Sequence, residues 1–377
     1  MNPAARVAGQ GLSPIRRMSV GAPAGTVDLG LGEPGWALPA PARRALAGLG
    51  TDDRSQEPLP YGPNTSDPGL VEAIGTFTGR TAPAEVMVTS GSQAALFALF
   101  SAYVDPGTVV LVPDPGFVAY PTLARLCGAR PVGYPLDEDG DLDADALVRV
   151  LGEHPHTSMV VLNHPSNPTG GLAGPAALER VAQACVRRDV LLVSDEVYAE
   201  LWLQDAPASL HDAAGPEAGV VLGSVSKAFA APGLRVGWAV GTEQVLAPAR
   251  LVHNAMTTAP ARPSQVAAHA LLEAAGEVLP AAREQLRRRA GTVGQLAPGL
   301  PGRPVRAGLY LWLPVPAGVD PGETEAFALR LRDEGGVTTI PGTAFGARGA
   351  GFLRVSLGGP TDDLEEGLRR LAPWWKA

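Results

Sequence analysis

Four polar runs stand directly after apolar, β-branched stretches, and their residue types fit together chemically. In GSVSKAFAAPGLRVGW, residues 223–238, Lys227 offers a nucleophilic amine to a carbonyl, and Arg235 follows eight residues later. In SDEVYAEL, residues 194–201, Asp195 stands at the expected end of a strand with Tyr198 three residues on, a spacing that puts both on one face of a helical turn. TSGSQAAL, residues 89–96, passes from strand to helix through Gly91, Ser92 and Gln93. Such a turn leaves free backbone N–H groups at a helix N-terminus, where a phosphate can bind. NHPSNPTG, residues 163–170, supplies a rigid polar loop around Asn167. Alone, each run is more simply a cap or a turn, and Asp at a strand end most often caps a helix. As a set they provide a reactive lysine, an isolated carboxylate, a phenol, and a phosphate cradle with an arginine. That set suits a cofactor with an aldehyde, a ring nitrogen, a ring hydroxyl and a phosphate, namely pyridoxal phosphate.

The elements that must position these residues are legible between about 85 and 240. EVMVTS (85–90), TVVLVP (108–113), TSMVVLN (157–163), DVLLVS (189–194) and GVVLGS (219–224) read as strands, separated mostly by Ala/Leu-rich helical stretches. Strands apolar throughout that alternate with helices predict a parallel sheet covered on both faces, with ligands beyond its carboxyl ends. The acidic run DEDGDLDADAL (137–147) reads as a turn leading into a helix N-terminus. After residue 240 a long helical stretch (264–290), a strand-like AGLYLWLPV (307–315), and helices near 322–334 and 361–371 suggest a smaller α+β domain. The proline-broken first forty residues must pack onto one of these units. The expected division is a large domain at 43–250 and a small one from 1–42 with 251–377.

Composition narrows the class. The chain has 377 residues, is 45% hydrophobic and 18% charged, and carries a net charge of −8. It can bury a sizeable core, and its acidic balance argues against a dedicated nucleic-acid or anionic-membrane binder. The one basic cluster, REQLRRRA (283–290), reads as a solvated helix face with Glu284 and Arg288 four apart. Two distant cysteines, Cys127 and Cys185, fit neither a disulfide framework nor a zinc site, and point to a reducing compartment. No apolar run resembles a signal peptide or a membrane span, so a cytoplasmic protein is expected.

From about Asp28 to Trp375 the chain resembles the fold-type I, class I/II pyridoxal-phosphate-dependent aminotransferases, with motifs in the family's order. GLGEP (30–34) is similar to the N-terminal substrate segment, YGPNTSDPGL (61–70) to the tyrosine loop, and PDPGFVAY (113–120) to the segment that stacks an aromatic ring on the cofactor. TSGSQAAL, NHPSNPTG, SDEVY and SVSKAFAAPGLRVG resemble the phosphate, asparagine, aspartate–tyrosine and lysine signatures, and PGTAFG (341–346) and FLRVSL (352–357) complete the set. The resemblance implies an α/β fold whose large domain holds a mostly parallel seven-stranded sheet beside a smaller α+β domain. It implies a Schiff base on Lys227, Asp195 paired with the ring nitrogen, and Tyr198 and Asn167 on the ring hydroxyl. Phe117 would stack on the ring. Gly91, Ser92, Gln93, Ser224 and Arg235 would hold the phosphate, with Tyr61 reaching it from the second subunit of a homodimer. Arg354 would clamp the substrate α-carboxylate by a two-pronged contact, assisted by Gly32 and Asn167. Trp36, Tyr120 and Tyr310 are the expected lining of the side-chain pocket.

The chain departs from the family pattern at several positions. Ser66 and Val71 stand where glycine and arginine are common, Phe117 where tyrosine or tryptophan is usual, and Gly35-Trp36 where Asp-Phe is frequent. Gln93 stands where some relatives with acidic substrates carry lysine, so aspartate is not the expected preferred donor.

Two short motifs point elsewhere and fail. GLGEPG (30–35), with Asp52 about twenty residues on, matches the glycine pattern of dinucleotide-binding folds, but Pro34, Pro39 and Pro41 forbid the helix that motif requires. Ser224-Val225-Ser226-Lys227 matches the S-x-x-K of serine β-lactamases, without their later S-D-N and K-T-G. The six histidines show no metal or triad spacing, and His154 and His156 read as exposed loop residues. The expected reaction moves the amino group of an L-amino acid to a 2-oxo acid. The alternative is another reaction at Cα or Cβ on the same scaffold, a C–S or β-lyase, a cyclase or an oxidative enzyme of secondary metabolism, because the fold does not decide which bond breaks.

Overall fold

The structure is a computed structural model and describes residues 2–4, 6–8, 11, 13–49, 61–80 and 82–376. Asp52 of the rejected dinucleotide motif lies outside the described residues. Twelve strands are described: β1 (Val27–Asp28), β2 (Val86–Thr89), β3 (Val109–Asp114), β4 (Arg130–Pro135), β5 (Thr157–Asn163), β6 (Leu191–Asp195), β7 (Val220–Ser224), β8 (Gly237–Val240), β9 (Tyr310–Pro314), β10 (Val337–Thr338), β11 (Ile340–Pro341) and β12 (Phe352–Ser356). The helices of the first half are α1 (Pro14–Ser19), α2 (Ala40–Gly48), α3 (Pro68–Phe77), α4 (Ser92–Tyr103), α5 (Ala119–Leu126), α6 (Ala144–Glu153) and α7 (Pro175–Val186). Those of the second half are α8 (Leu210–Ala214), α9 (Glu243–Thr257), α10 (Arg262–Glu273), α11 (Ala275–Leu296), α12 (Thr324–Asp333) and α13 (Thr361–Leu371).

The large sheet has seven strands in the order β2-β8-β7-β6-β5-β3-β4. The pairings among β4, β3, β5, β6 and β7 are parallel, and β8 runs antiparallel between β7 and β2. Both faces are buried because successive side chains of a strand point opposite ways. In β3, Val109 and Leu111 join the apolar cluster on one face and Val110 and Val112 the cluster on the other. β4 and β8 were not singled out from the sequence. RPVGYP in β4 is interrupted by proline and glycine and lies at the sheet edge, and GWAV in β8 follows the lysine loop too closely to read as a separate strand.

Helix starts follow local chemistry. The Asp143 side chain accepts from the Ala146 amide at 2.9 Å at the head of α6, and Asp67 accepts from Leu70 at 3.1 Å at the head of α3. The acidic run 137–147 is thus a turn and a cap, as its composition implies.

The second unit is the antiparallel sheet β11-β12-β9, with the parallel pair β1–β10 beside it. A third apolar cluster, including Met18, Leu29, Leu313, Phe327, Val355 and Leu368, joins α1, β1, α12 and α13 to it. Helices on both sides of the expected boundary at 250 pack on the large sheet. Ala267, Leu271, Leu279 and Leu286 of α10 and α11 belong to the cluster on the large sheet, and so does Ala42 of α2. The apolar faces of these helices fit the sheet's flank. The basic run of α11 is more than a solvated face. Glu284 does pair with Arg287 and Arg288, but Arg283 lies over the Trp202 ring and pairs with Glu200, and buried Arg289 donates to Leu357 O at 2.8 Å.

Among the described residues no helix is long and apolar enough to cross a membrane, and no group of three or more His, Cys, Asp or Glu could hold a metal ion. Both cysteines are free.

Candidate active site

The carboxyl ends of β3, β5, β6 and β7 open into a cavity of about 1430 Å³. Gly32, Ser92, Gln93, Phe117, Asn167, Asp195, Tyr198, Ser224, Lys227, Arg235 and Arg354 all line it. Residues spread over more than three hundred positions therefore meet because parallel strands deliver their ends to one edge of the sheet.

At one end lies the α4 N-terminus. Gly91 precedes the helix at φ 83°, a left-handed conformation that glycine tolerates, and no side chain caps the first turn. A Cβ on Gly91 would collide with the Arg235 guanidinium, and one on Gly237 with the Ser92 amide, so both glycines keep this cradle open. Arg235 is itself left-handed at φ 54°, which turns its side chain across Gly91, and its Nη1 donates to Pro232 O at 2.9 Å. The Ser224 hydroxyl lies 2.7 Å from that of Ser226. Sequence reading missed the support behind the cradle: the Ser90 amide donates to Nε2 of buried His253 at 3.2 Å, and Ser90 Oγ lies 3.4 Å from Thr257 Oγ1. Burial lowers the His253 pKa, keeping the ring a neutral acceptor. The spacing of these α9 residues from the turn, more than 160 positions, left no local signal.

In the middle, Asp195 ends β6 and is 4% exposed. Its Oδ2 accepts from Tyr120 Oη at 2.7 Å, and Asn163 Nδ2 donates to its backbone carbonyl at 2.9 Å. Burial pushes the carboxyl up to about 6, opposed by the Tyr120 hydrogen bond and the charge of Lys227. Lys227 stands in the turn after β7, and its Nζ donates to Gly32 O at 2.8 Å, which places the amine against the N-terminal segment. Tyr198 Oη lies 2.7 Å from Tyr310 Oη, and burial raises the Tyr198 pKa well above the usual phenol value.

At the far end, Arg354 of β12 is 1% exposed. Its Nη1 donates to Asn167 Oδ1 at 2.8 Å and its Nη2 to Gly30 O at 2.5 Å. The guanidinium is sandwiched by the Tyr310 and Phe345 rings at 4.3 and 4.8 Å. Its Nε has no partner, and among the described residues no carboxylate forms an ion pair with it. A buried guanidinium without a counter-ion carries a desolvation cost of several kcal/mol that an entering carboxylate offsets.

Two expected positions, Trp36 and Tyr61, fall outside the cavity, and two others, Tyr120 and Tyr310, make further contacts within it. Trp36 does not line the cavity. Its ring lies 5.3 Å from the Arg289 guanidinium and packs against the apolar cluster of the large sheet. Tyr120 and Tyr310 do line the cavity, but their hydroxyls are engaged by Asp195 and Tyr198 and they are not simple side-chain lining. Tyr61 is 93% exposed and lies outside this chain's cavity. Ser66 of the same loop has a left-handed backbone at φ 74°.

The carboxyl edge of a seven-stranded α/β sheet thus gathers a lysine, a buried carboxylate and a buried arginine with no carboxylate partner among the described residues, a set that can bind an anionic ligand. Residues 27–371 match the family described as aminotransferase class I and II. The chain is 33% identical over 352 residues to the arginine–pyruvate transaminase of Pseudomonas aeruginosa, covering 91% of this chain and 88% of that protein. It is 35% identical over 363 residues to the aspartate/prephenate aminotransferase of Thermus thermophilus, covering 92% and 90%. A solved mutant of the Thermus thermophilus aspartate aminotransferase superposes with a TM-score of 0.88 at 30% identity, over 99% of this chain and all of that one. The chain belongs to the class I and II aminotransferases and is an enzyme that transfers amino groups.

Proposed function

We propose that the chain is a pyridoxal-phosphate-dependent aminotransferase working through Lys227 between an L-amino acid and a 2-oxo acid. The observation that carries this reading is a charge imbalance: Lys227, Arg235 and buried Arg354 face one cavity, and none forms an ion pair with a carboxylate among the described residues, in a chain of net charge −8. A phosphate at the α4 N-terminus and a carboxylate at Arg354 would supply the missing anions. The residues fit the cofactor. The orphaned Arg354 Nε, the glycine cradle beneath Arg235, and the isolated Asp195 are each a buried or strained feature that a ligand would complete.

When bound, pyridoxal phosphate supplies a carbonyl for amines and a conjugated ring that takes up electrons from Cα. Ser92, Gln93, Ser224 and Arg235 would bind its phosphate, Asp195 would hold a proton on its ring nitrogen, and Tyr198 and Asn167 would orient its ring hydroxyl. Phe117 would cover one ring face. Arg354 and Asn167 orient the substrate carboxylate, with Gly30 O fixing the guanidinium from behind. Lys227, already turned toward Gly32, would take the proton from substrate Cα and return it on the cofactor side. Tyr61, exposed on the isolated chain, would complete the phosphate site of a second copy, giving a homodimer. The expected setting is the cytoplasm.

The test is the visible absorption spectrum of the purified protein with added cofactor and a panel of amino acids. A band that bleaches with particular amino acids and returns with a 2-oxo acid supports transamination. Pyruvate and ammonia formed without a 2-oxo acceptor would establish a β-lyase instead. Lys227→Ala forming a normal band would overturn the lysine assignment.

A further inference from the structure

The sequence places Tyr120 only as pocket lining, yet it is fully buried, and its hydroxyl makes the shortest hydrogen bond to the Asp195 carboxylate among the described residues. Tyr120 sits in the first turn of α5, and its Oη donates to Oδ2 at 2.7 Å. Among the described residues the other oxygen, Oδ1, has only the distant Val197 amide at 3.4 Å. The Tyr120 ring also meets the Phe117 ring edge-on, with centroids 5.5 Å apart and planes at 81°. We propose that Tyr120 is a positioning residue for the ring nitrogen site: it clamps one oxygen of Asp195, leaves the other free for a cationic N–H, and braces Phe117 against the same ring. This rests on the cofactor reading above.

The physical reason is that a carboxylate in so dry a setting is poorly stabilised as an anion. Lys227, Tyr198 and Tyr120 are the titratable groups around the carboxylate, while neighbouring His164 donates only its backbone amide to the Asp195 carbonyl at 3.3 Å. Among the described residues the phenol is the single neutral donor that reaches the carboxylate at short range, so removing it leaves one oxygen of a buried anion unsatisfied. A protonated Asp195 could no longer act as a counter-charge to a ring cation.

The test compares wild type, Tyr120→Phe, Asp195→Asn and the double variant. Infrared titration of the cofactor-free protein, with Asp195→Asn identifying the band, reads the Asp195 carboxyl directly. Tyr120→Phe should move its midpoint upward by about one pH unit. Equilibrium binding of pyridoxal phosphate to Tyr120→Phe should weaken about tenfold, more at pH 6 than at pH 8, and the substitution should have no further effect in the Asp195→Asn background. An unmoved midpoint, or an equal loss of affinity in the Asp195→Asn background, would overturn the proposal by showing that Tyr120 only fills space. If wild type itself bound no pyridoxal phosphate, the cofactor reading would fall, while the infrared midpoint would still decide whether Tyr120 governs Asp195.

Discussion

Tyr198 and Tyr310 meet hydroxyl to hydroxyl at 2.7 Å, with their rings edge-on and centroids 5.6 Å apart. Tyr198 belongs to the turn after β6 of the large sheet, and Tyr310 opens β9 of the small one. The Arg354 guanidinium lies over the same Tyr310 ring at 4.3 Å. The phenol proposed for the ring hydroxyl and the guanidinium proposed for the substrate carboxylate therefore share one neighbour, so the two ends of the reaction centre are held in register across two units of the fold.

Tyr310→Phe keeps the ring under Arg354 and deletes only the hydroxyl. Turnover should fall several-fold with KM changed less than twofold, and stability should drop by about 1 kcal/mol, the worth of one neutral hydrogen bond. Steady-state kinetics and urea unfolding read the two effects, and a large rise in KM with kcat intact would show that Tyr310 serves substrate binding instead.

Arg354→Lys retains the charge and loses the fork that reaches Asn167 Oδ1 and Gly30 O together. We expect kcat/KM for every accepted amino acid to fall by about a hundredfold, roughly 3 kcal/mol of transition-state binding. A loss confined to one substrate would place Arg354 on the side chain, not on the α-carboxylate.

Gly91→Ala puts a methyl into the Arg235 guanidinium at a backbone φ of 83°. Affinity for pyridoxal phosphate should drop at least tenfold and the melting temperature should fall, because strain of about 1 kcal/mol or more accompanies the displaced arginine. Calorimetric titration of cofactor into the variant checks this, and unchanged affinity would remove Arg235 from the phosphate site.

The pH dependence of stability should carry the signature of Glu196. Burial pushes its carboxyl up to about 7, although Ser194 Oγ and the Leu210 amide donate to it at 2.8 and 2.9 Å. The folded protein therefore holds this proton more tightly than the unfolded chain. Its favourable contribution is complete below pH 4.5 and is lost as the pH rises from 4.5 to about 7, by on the order of 3 kcal/mol. His164, held down to about 4 by burial, works in the opposite direction, losing stability as the pH falls from 6.5 toward 4. Ser194 gives its proton to Glu196, so its oxygen accepts from His164 Nε2 at 3.0 Å, leaving His164 Nδ1 without a partner. Unfolding of wild type and Glu196→Gln should show the variant gaining on wild type between pH 5 and 7 and holding level above. A difference independent of pH would mean that Glu196 does not titrate in that range.

The site motifs were readable because each is local. Lys227, Asp195, Asn167 and the 89–96 turn sit within a few residues of a strand end, and the strand pattern alone says which edge of the sheet they share. Five strands announced themselves through unbroken apolar runs, whereas β4 and β8 did not, since their pairing partners and not their own composition make them strands. Which unit α10 and α11 serve was not legible, because an amphipathic helix carries no local mark of the partner it covers. Only the packing of Leu271 and Leu286 shows which unit they serve.

Taken alone, the amino-acid order determined the class of fold, through periodicity and turn chemistry, and the family, through the resemblance of its ordered motifs, and it supplied the candidate reactive groups. Tertiary structure decided which residues support the reactive groups: Tyr120 behind Asp195, Tyr310 behind Tyr198, His253 behind the phosphate turn, and Arg289 rather than the cavity beside Trp36. Such partners come from elements tens to hundreds of positions apart, and a hydrogen bond at 2.7 Å depends on how helices pack on a sheet, which no local run of residues encodes.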